Sequence, residues 1–429
     1  MNWFLFMLMV ALTVAGLWFI KSAGEYADNA DLFVKQEKYA AVSLAVYLLL
    51  TLTNYEWWLK LAPLFFTAAL ATLLALLLLK GTPLALTING ATSWLKVGGV
   101  ILQPAEPAKI AFILGLSWFL LVLGEHRGKF WLFALTGLLA LLPAVLILKQ
   151  PDLGTALVFF PITLVIMWAA NLPKRYLLLL AAAVGAGVLF ARFVIYQAWW
   201  DGTAGDLWPA TKRTAYVVAG ATAKLPAAQQ AKLTPLTARK KSAPPATPAD
   251  TVGAVNKKAG VLVKPYQLGR IRTFFDPDLD PLGAGWTIRQ SLNTIGSGGF
   301  SGKGFVSEYG FLPKNIAYND FIFAVIGEEV GFIGSALFIL GQGALIFGVM
   351  HVAARAKDSG GVLICLGFAA LLFTHFFQNV AMTIGLTPIT GIPLPFISYG
   401  GSFLLTCMAG MGLVQSVWIH RKNFYNHQP

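Results

Sequence analysis

The chain has 429 residues, 57% of them hydrophobic and only 12% charged, with a mean hydropathy of +0.68. That much apolar surface exceeds what a water-soluble core can hide, which excludes an ordinary soluble enzyme and places the chain in a bilayer. The formal net charge of +13 does not mark a nucleic-acid binder, because no nucleic-acid module is legible and most of the excess lies in one long loop.

Apolar runs of roughly 17–25 residues are long enough to cross about 30 Å of hydrocarbon. Bounded by charges, they predict about ten spans. In chain order these are Trp3–Ile20, Tyr39–Thr53, Leu61–Leu79, Ile110–Gly124, Phe130–Leu148, Thr155–Ala170 and Tyr176–Trp199, then Val330–Ala353, Gly361–Gly385 and Phe403–Ile419. The fold class expected is an all-α polytopic membrane protein, with residues 1–429 forming a single membrane domain. The first span reads as an anchor, since it lacks a basic start and no small-x-small cleavage site follows. Short basic connectors (Lys60; Arg127 and Lys129; Lys174 and Arg175; Arg355 and Lys357; Arg421 and Lys422) predict cytoplasmic loops and both termini inside. The segment 200–319, between the seventh and eighth spans, is then an extracytoplasmic loop. Within it, 211–260 is an Ala/Pro/Lys-rich insertion whose composition predicts flexibility, whereas the text from Lys264 onward interleaves aromatics, glycines and charges. The two cysteines, Cys365 and Cys407, fall inside apolar runs and carry no assigned chemistry.

Ionisable groups at membrane depth are costly to keep, so they mark candidate chemistry. Four places qualify. In QPAEPAK, Gln103, Glu106 and Lys109 precede the fourth span; Glu106 and Lys109, three residues apart, can pair on one helical face, or the glutamate can serve only to stabilise the helix start. In KQPDLGTA, Asp152 either caps the sixth span or faces a site. In AYNDFIFAVIGEEVGFIG, Asp320 is an N-cap or a base, and Glu328 and Glu329 interrupt the run that follows. GLTPITGIPLPFISYGGSF is a Pro- and Gly-rich hinge carrying Ser398 and Tyr399, and irregular backbone at this depth must line protein or a wet cavity. GSGGFSGKG looks like a phosphate loop but fails its pattern at Ser297 and Gly304, leaving a weak anion nest around Lys303. Arg270, Arg272 and Arg289 add basic density, and His375, Gln378 and Asn379 read as a helix–helix polar contact.

These motifs, together with INGATSWLKVG, DPLGAGWTIRQS and MAGMGLVQSVWIHRK in one order along the chain, resemble the shape, elongation, division and sporulation (SEDS) family. The resemblance covers nearly everything except about 202–263, and DPLGAGW and PITGIPLPFISYGG are more similar to its elongation branch than to its division branch. It implies a peptidoglycan glycosyltransferase acting on lipid II, with a class B penicillin-binding protein as transpeptidase partner and the elongation machinery around it. It also implies that Asp320 is the catalytic carboxylate, that Glu106 and Lys109 are the family's paired charges, and that Trp94 and Gln103 belong to its outer segment. Tyr318 and Asn319 stand where relatives usually carry His-Thr, and Phe403 where they carry a second Ser.

On the residues, Asp320 would accept the proton of the acceptor hydroxyl while Lys109 and Arg270 receive the departing diphosphate; Asp152 and Ser398 complete the substrate-binding candidates. A divalent cation, Mg or Mn, bridging phosphate to Asp320 or Asp152 is compatible, though no dense ligand cluster marks it. The competing class is a lipid or solute transporter, disfavoured because the polar groups gather on one side instead of the midplane. A third is a scaffold that recruits the transpeptidase.

Overall fold

The computed structural model describes residues 1–29, 31–88, 91–98, 100–180, 182, 270, 273–275, 283–305, 312–314 and 316–421. It divides the chain into a unit of residues 1–178 with 267–429 and a second unit, 179–266. Nearly all of the second unit, most of the seventh expected span and the 211–260 insertion lie outside the described residues. The first unit is built of helices and one small sheet.

Its elements are α1 (Trp3–Tyr26), α2 (Asp31–Leu52), α3 (Tyr55–Lys60), α4 (Ala62–Leu78), β1 (Ala85–Ile88), β2 (Ala91–Val97), β3 (Val100–Leu102), α5 (Ala105–Val122), α6 (Phe130–Lys149) and α7 (Leu153–Ala169). After the gap come α8 (Ala284–Ser297), α9 (Ile322–Ala354), α10 (Ser359–Thr383) and α11 (Gly401–Ile419). Among the described residues, α1, α5, α6, α9, α10 and α11 are long and apolar enough to cross a membrane, and α4 and α7 are shorter apolar helices. α2 carries the second expected span behind a charged first turn that begins at Asp31. The chain is therefore a polytopic helical membrane protein. Large apolar side chains such as Phe4, Leu52, Leu78, Leu157, Leu340 and Phe347 face outward, as expected when the surrounding solvent is lipid.

The spans expected from the sequence left no place for a sheet. β1, β2 and β3 nevertheless form a three-stranded antiparallel sheet between α4 and α5. Thr87 and Thr92 pair across β1 and β2 through their hydroxyls at 2.9 Å, a cross-strand contact of β-branched residues that suits pleated backbone.

α9 begins at Ile322, well before the Val330 expected, because it is two helical pieces joined across a break at Gly331, with φ 64°. A side chain there would be strained by the left-handed backbone and blocked by the Gly302 amide. The break leaves helix groups without their intrahelical partners, and the GSGGFSGKG loop supplies them. The Lys303 and Gly304 amides donate to the Glu328 and Glu329 carbonyls, and the Phe332 and Ile333 amides donate to Gly299 and Phe300. The Lys303 ammonium meets the buried Glu328 carboxylate at 2.6 Å. This corrects the weak anion-nest reading: two of those amides and the lysine are engaged by α9.

The hinge between α10 and α11 runs as irregular backbone through packed protein, and its carbonyls find side-chain donors. Gln342 of α9 donates to Pro395, while three residues of α10 donate to Pro388, Ile392 and Pro393. That satisfies the rule for non-helical backbone at membrane depth.

Candidate functional site: a carboxylate between the hinge and α7

Asp152 and Asp320 both precede helices, yet only one caps. The Asp152 side chain accepts from the Thr155 amide at 3.0 Å and from its hydroxyl at 2.8 Å, so it is the N-cap of α7. Gln103 also reaches it, with Nε2 donating to Oδ2 at 3.2 Å. α9 is preceded instead by Phe321, and no side-chain cap bond is made there. The Asp320 carboxylate is turned towards the hinge: a Cβ built on Gly391 would lie 3.3 Å from its Oδ2 and 3.8 Å from a guanidinium nitrogen of Arg270. Gly391 has φ 74°, so both its conformation and the space beside it favour glycine. Arg270 is held in place by donating to the Ile389 carbonyl at 3.3 Å.

The same short stretch of hinge meets α7, since a Cβ on Gly154 would come 2.5 Å from the Thr390 carbonyl oxygen. Ile389, Thr390 and Gly391 thus form a seam with Asp320 and Arg270 on one side and the α7 N-terminus with Asp152 on the other. Burial is the largest influence on Asp320 and pushes its carboxyl up to about 6; Arg270 pulls the other way and the Asp152 charge adds to the rise. A carboxyl tuned to that range is ionised near neutral pH yet still a useful proton acceptor.

A second cluster lies deeper. Lys109 is fully buried, with its ammonium 2.9 Å from both carboxylate oxygens of Glu106 and 2.9 Å from His375 Nε2. His375 Nδ1 lies 3.2 Å from the Pro393 carbonyl, which can only accept, so the proton sits on Nδ1 and Nε2 receives from lysine. His375 stacks on Phe403 with ring centroids 4.5 Å apart, and the lysine lies over the same ring. Gln103 lies just ahead of α5 and its carbonyl accepts from the Glu106 amide, so the start of α5 links the two clusters; the Gln103 backbone amide also donates to the Ser402 hydroxyl at 3.1 Å.

The predicted residues therefore separate. Asp320, Arg270, Asp152 and Gln103 are brought together, and Glu106 and Lys109 form an occupied buried pair beneath them. A buried, doubly engaged ammonium is poorly placed to meet a diphosphate, because that contact would break an existing one. Ser398 is a brace: its hydroxyl donates to the Asn319 carbonyl and accepts from the Leu394 amide, both at 2.8 Å. Trp94 lies on β2 opposite Leu86, outside these contacts. Arg289 is exposed on α8, and Arg272 lies outside the described residues. Sequence reasoning passed over Gly391, Thr390 and Ser402 and assigned His375 and Asn379 to helix packing. A polar triplet on one face of an apolar helix was the available signal. Among the described residues no group of three or more His, Cys, Asp or Glu is arranged to hold a metal. Asp320 and Asp152 are the carboxylates whose hard oxygens a Mg or Mn ion would take if a substrate brought further phosphate oxygens.

Known proteins share this architecture. A family profile described as "Cell cycle protein" and covering FtsW, RodA and SpoVE matches residues 1–209 and 249–423. Peptidoglycan glycosyltransferase RodA of Treponema pallidum is 34% identical over 431 residues, covering 97% of each chain. Peptidoglycan glycosyltransferase MrdB of Escherichia coli K12 is 29% identical over 92% of this chain and 88% of its own. Among solved structures, one described as "Structural coordination of polymerization and crosslinking by a peptidoglycan synthase complex" superposes with a TM-score of 0.67 at 27% identity, covering 98% of both chains. Thermus thermophilus rod shape determining protein RodA shares the fold at a TM-score of 0.60, with 24% identity and 98% of both chains covered. With matches across nearly its whole length and a carboxylate set against the hinge its motifs mark, the chain belongs to the FtsW/RodA/SpoVE family, the SEDS family that those motifs resemble.

Proposed function

We propose that this chain is a peptidoglycan glycosyltransferase of the elongation branch that polymerises lipid II, with Asp320 as general base. The full-length match to named peptidoglycan glycosyltransferases, with a RodA at 34% identity, supports the enzyme class and the cell-shape role. The observation that carries the residue assignment is that Asp320 stands before a helix without capping it and faces Arg270 and the hinge.

In the reaction, Asp320 takes the proton of the acceptor sugar hydroxyl as that oxygen bonds to the anomeric carbon of the donor. The bond from that carbon to the diphosphate breaks, undecaprenyl diphosphate leaves with the electron pair, and Asp320 later returns the proton to water. General-base assistance of this kind is typically worth roughly a hundred- to ten-thousand-fold. Arg270, a planar cation beside the base, is the residue placed to receive diphosphate charge as it develops. A divalent cation held by Asp320 or Asp152 would add further charge stabilisation. Glu106 and Lys109 act from beneath, fixing α5 and hence Gln103. The donor's polyprenyl tail stays in lipid while its headgroup lies at the outer face, with both termini in the cytoplasm of a bacterial inner-membrane protein. The solved synthase complex supports a class B penicillin-binding protein as partner.

The test is a polymerisation assay with lipid II, Mg or Mn, and the co-purified transpeptidase, comparing the parent with Asp320→Asn at matched folding. Glycan from the parent only is expected. Glycan from both removes the base assignment, and lipid II crossing liposome bilayers without polymer would instead support a transporter.

A further inference from the structure

α10 presents three polar side chains to the hinge from one face: His375, Gln378 and Asn379. Gln378 donates to the Thr387 hydroxyl and the Pro388 carbonyl, near the start of the hinge. Asn379 does something different. Its single amide nitrogen donates one proton to the backbone carbonyl of Asp320 itself, at 2.9 Å, and the other to the carbonyl of Ile392, at 2.7 Å. Ile392 directly follows Gly391, where an added Cβ would stand 3.3 Å from the Asp320 carboxylate. The next carbonyl, Pro393, accepts from His375, whose other nitrogen receives Lys109.

The orientation of the Asn379 amide follows from its surroundings. Its oxygen is buried without a hydrogen-bond partner, a costly arrangement, while the reverse orientation would press that oxygen against two carbonyl oxygens and lose both bonds. Two N–H donors on one nitrogen at this reach are what the position demands. An aspartate offers at most one proton, and a leucine of similar size offers none.

We infer that Asn379 is a positioning residue for the glycosyl transfer: by clamping the Asp320 and Ile392 carbonyls together, it sets the base against Gly391 and Arg270. His375, one turn earlier on the same face, extends the clamp to the buried Lys109. The inference rests on the general-base role proposed for Asp320. Asn379 itself is fully buried, which places it to act through Asp320 and not on the substrate directly. Its contribution is to the geometry of proton transfer, where a displacement of about 1 Å can cost on the order of a hundred-fold in rate.

The test compares parent, Asn379→Asp, Asn379→Leu, Gln378→Ala and Asp320→Asn in the complex with the transpeptidase, with steady-state polymerisation of lipid II from pH 5 to 8. For the Asn379 variants we expect kcat to fall about thirty- to a hundred-fold with KM for lipid II changed less than about three-fold. The acid limb of the rate profile should also move, since the charges facing Asp320, Arg270 and Asp152, would act from altered distances. Gln378→Ala should leave the limb in place. Folding loss by itself would reduce the active fraction without moving the limb; should both variants fail to fold, Asn379→Ser, which keeps one donor, is measured in their place. An unchanged kcat and limb in folded Asn379 variants, with Asp320→Asn inactive, overturns the positioning role alone. Equal effects from Gln378→Ala also overturn it, by showing general loosening of the hinge. An active Asp320→Asn removes the base reading and this inference with it.

Discussion

Asp152 and Asp320 occupy the same kind of place in sequence, an acidic residue just ahead of an apolar helix, and the fold uses them in opposite ways. Asp152 spends its carboxylate on the α7 N-terminus, taking the Thr155 amide and hydroxyl and the Gln103 amide group. Asp320 stands one residue too early to cap α9, whose first residue is Ile322, and its carboxylate is left against Arg270 and Gly391. A capping carboxylate is stabilised by the helix it begins, whereas one kept partly buried beside a hinge is held at some cost in stability. The lesson is that at membrane surfaces an acidic residue is a reactive candidate when a helix start fails to use it.

The sharpest way to break this contrast is to neutralise each aspartate with its isostere. Asp320→Asn should lose at least about a hundred-fold in polymerisation. Asp152→Asn keeps an acceptor for the cap and should remain folded and active to within about ten-fold; equal loss from both would mean that Asp152 charge matters as much as the base, for instance through a cation. Arg270→Ala should cost on the order of ten- to a hundred-fold by removing a charge-assisted partner, read as kcat/KM in glycan synthesis. It should also shift the acid limb upward, because Arg270 is the group that lowers the Asp320 carboxyl.

The pH dependence sharpens the contrast from another side. With its carboxyl at about 6 in the folded chain, Asp320 should give kcat/KM falling roughly ten-fold per pH unit below that value. The ordinary aspartate value is 3.8, so the folded state favours the protonated acid; the stability this confers is present below about 4 and is lost as pH rises through 6. Asp320→Asn should consequently melt higher than the parent in detergent at pH 7.5, with the gap closing as the pH falls towards 4. A lower melting temperature for the variant at pH 7.5 would mean that the ionised carboxylate stabilises the fold.

Smaller effects come from the hinge and the cap. Gly391→Ala places a methyl 3.3 Å from Asp320 Oδ2 on backbone at φ 74°, and the strain of about 1 kcal/mol should appear as a several-fold loss of kcat with little change in expression. Asp152→Ala should cost about 1 kcal/mol of stability through the lost cap, read as a lower melting midpoint, without moving the pH profile beyond the loss of one neighbouring charge.

The sequence by itself determined the class of molecule. Apolar runs of the length of a bilayer leave few alternatives to spanning helices, and the ordered motifs identified the family. It also brought forward Asp320, Asp152, Gln103 and Arg270, because charged and amide side chains near a membrane stand out against apolar text. What it left open was the use of each carboxylate, since capping and reactivity need the same residue at the same distance from a helix, and only the three-dimensional position of the helix start separates them. The tertiary structure decided that Asp152 caps and Asp320 does not, that Lys109 is enclosed by Glu106 and His375, and that the glycine loop mends the break in α9. It also joined Asp320 to a hinge far along the chain through Asn379. These are matters of which hydrogen-bond donor meets which acceptor across distant segments. Packing fixes such partnerships, and local sequence pattern does not encode them.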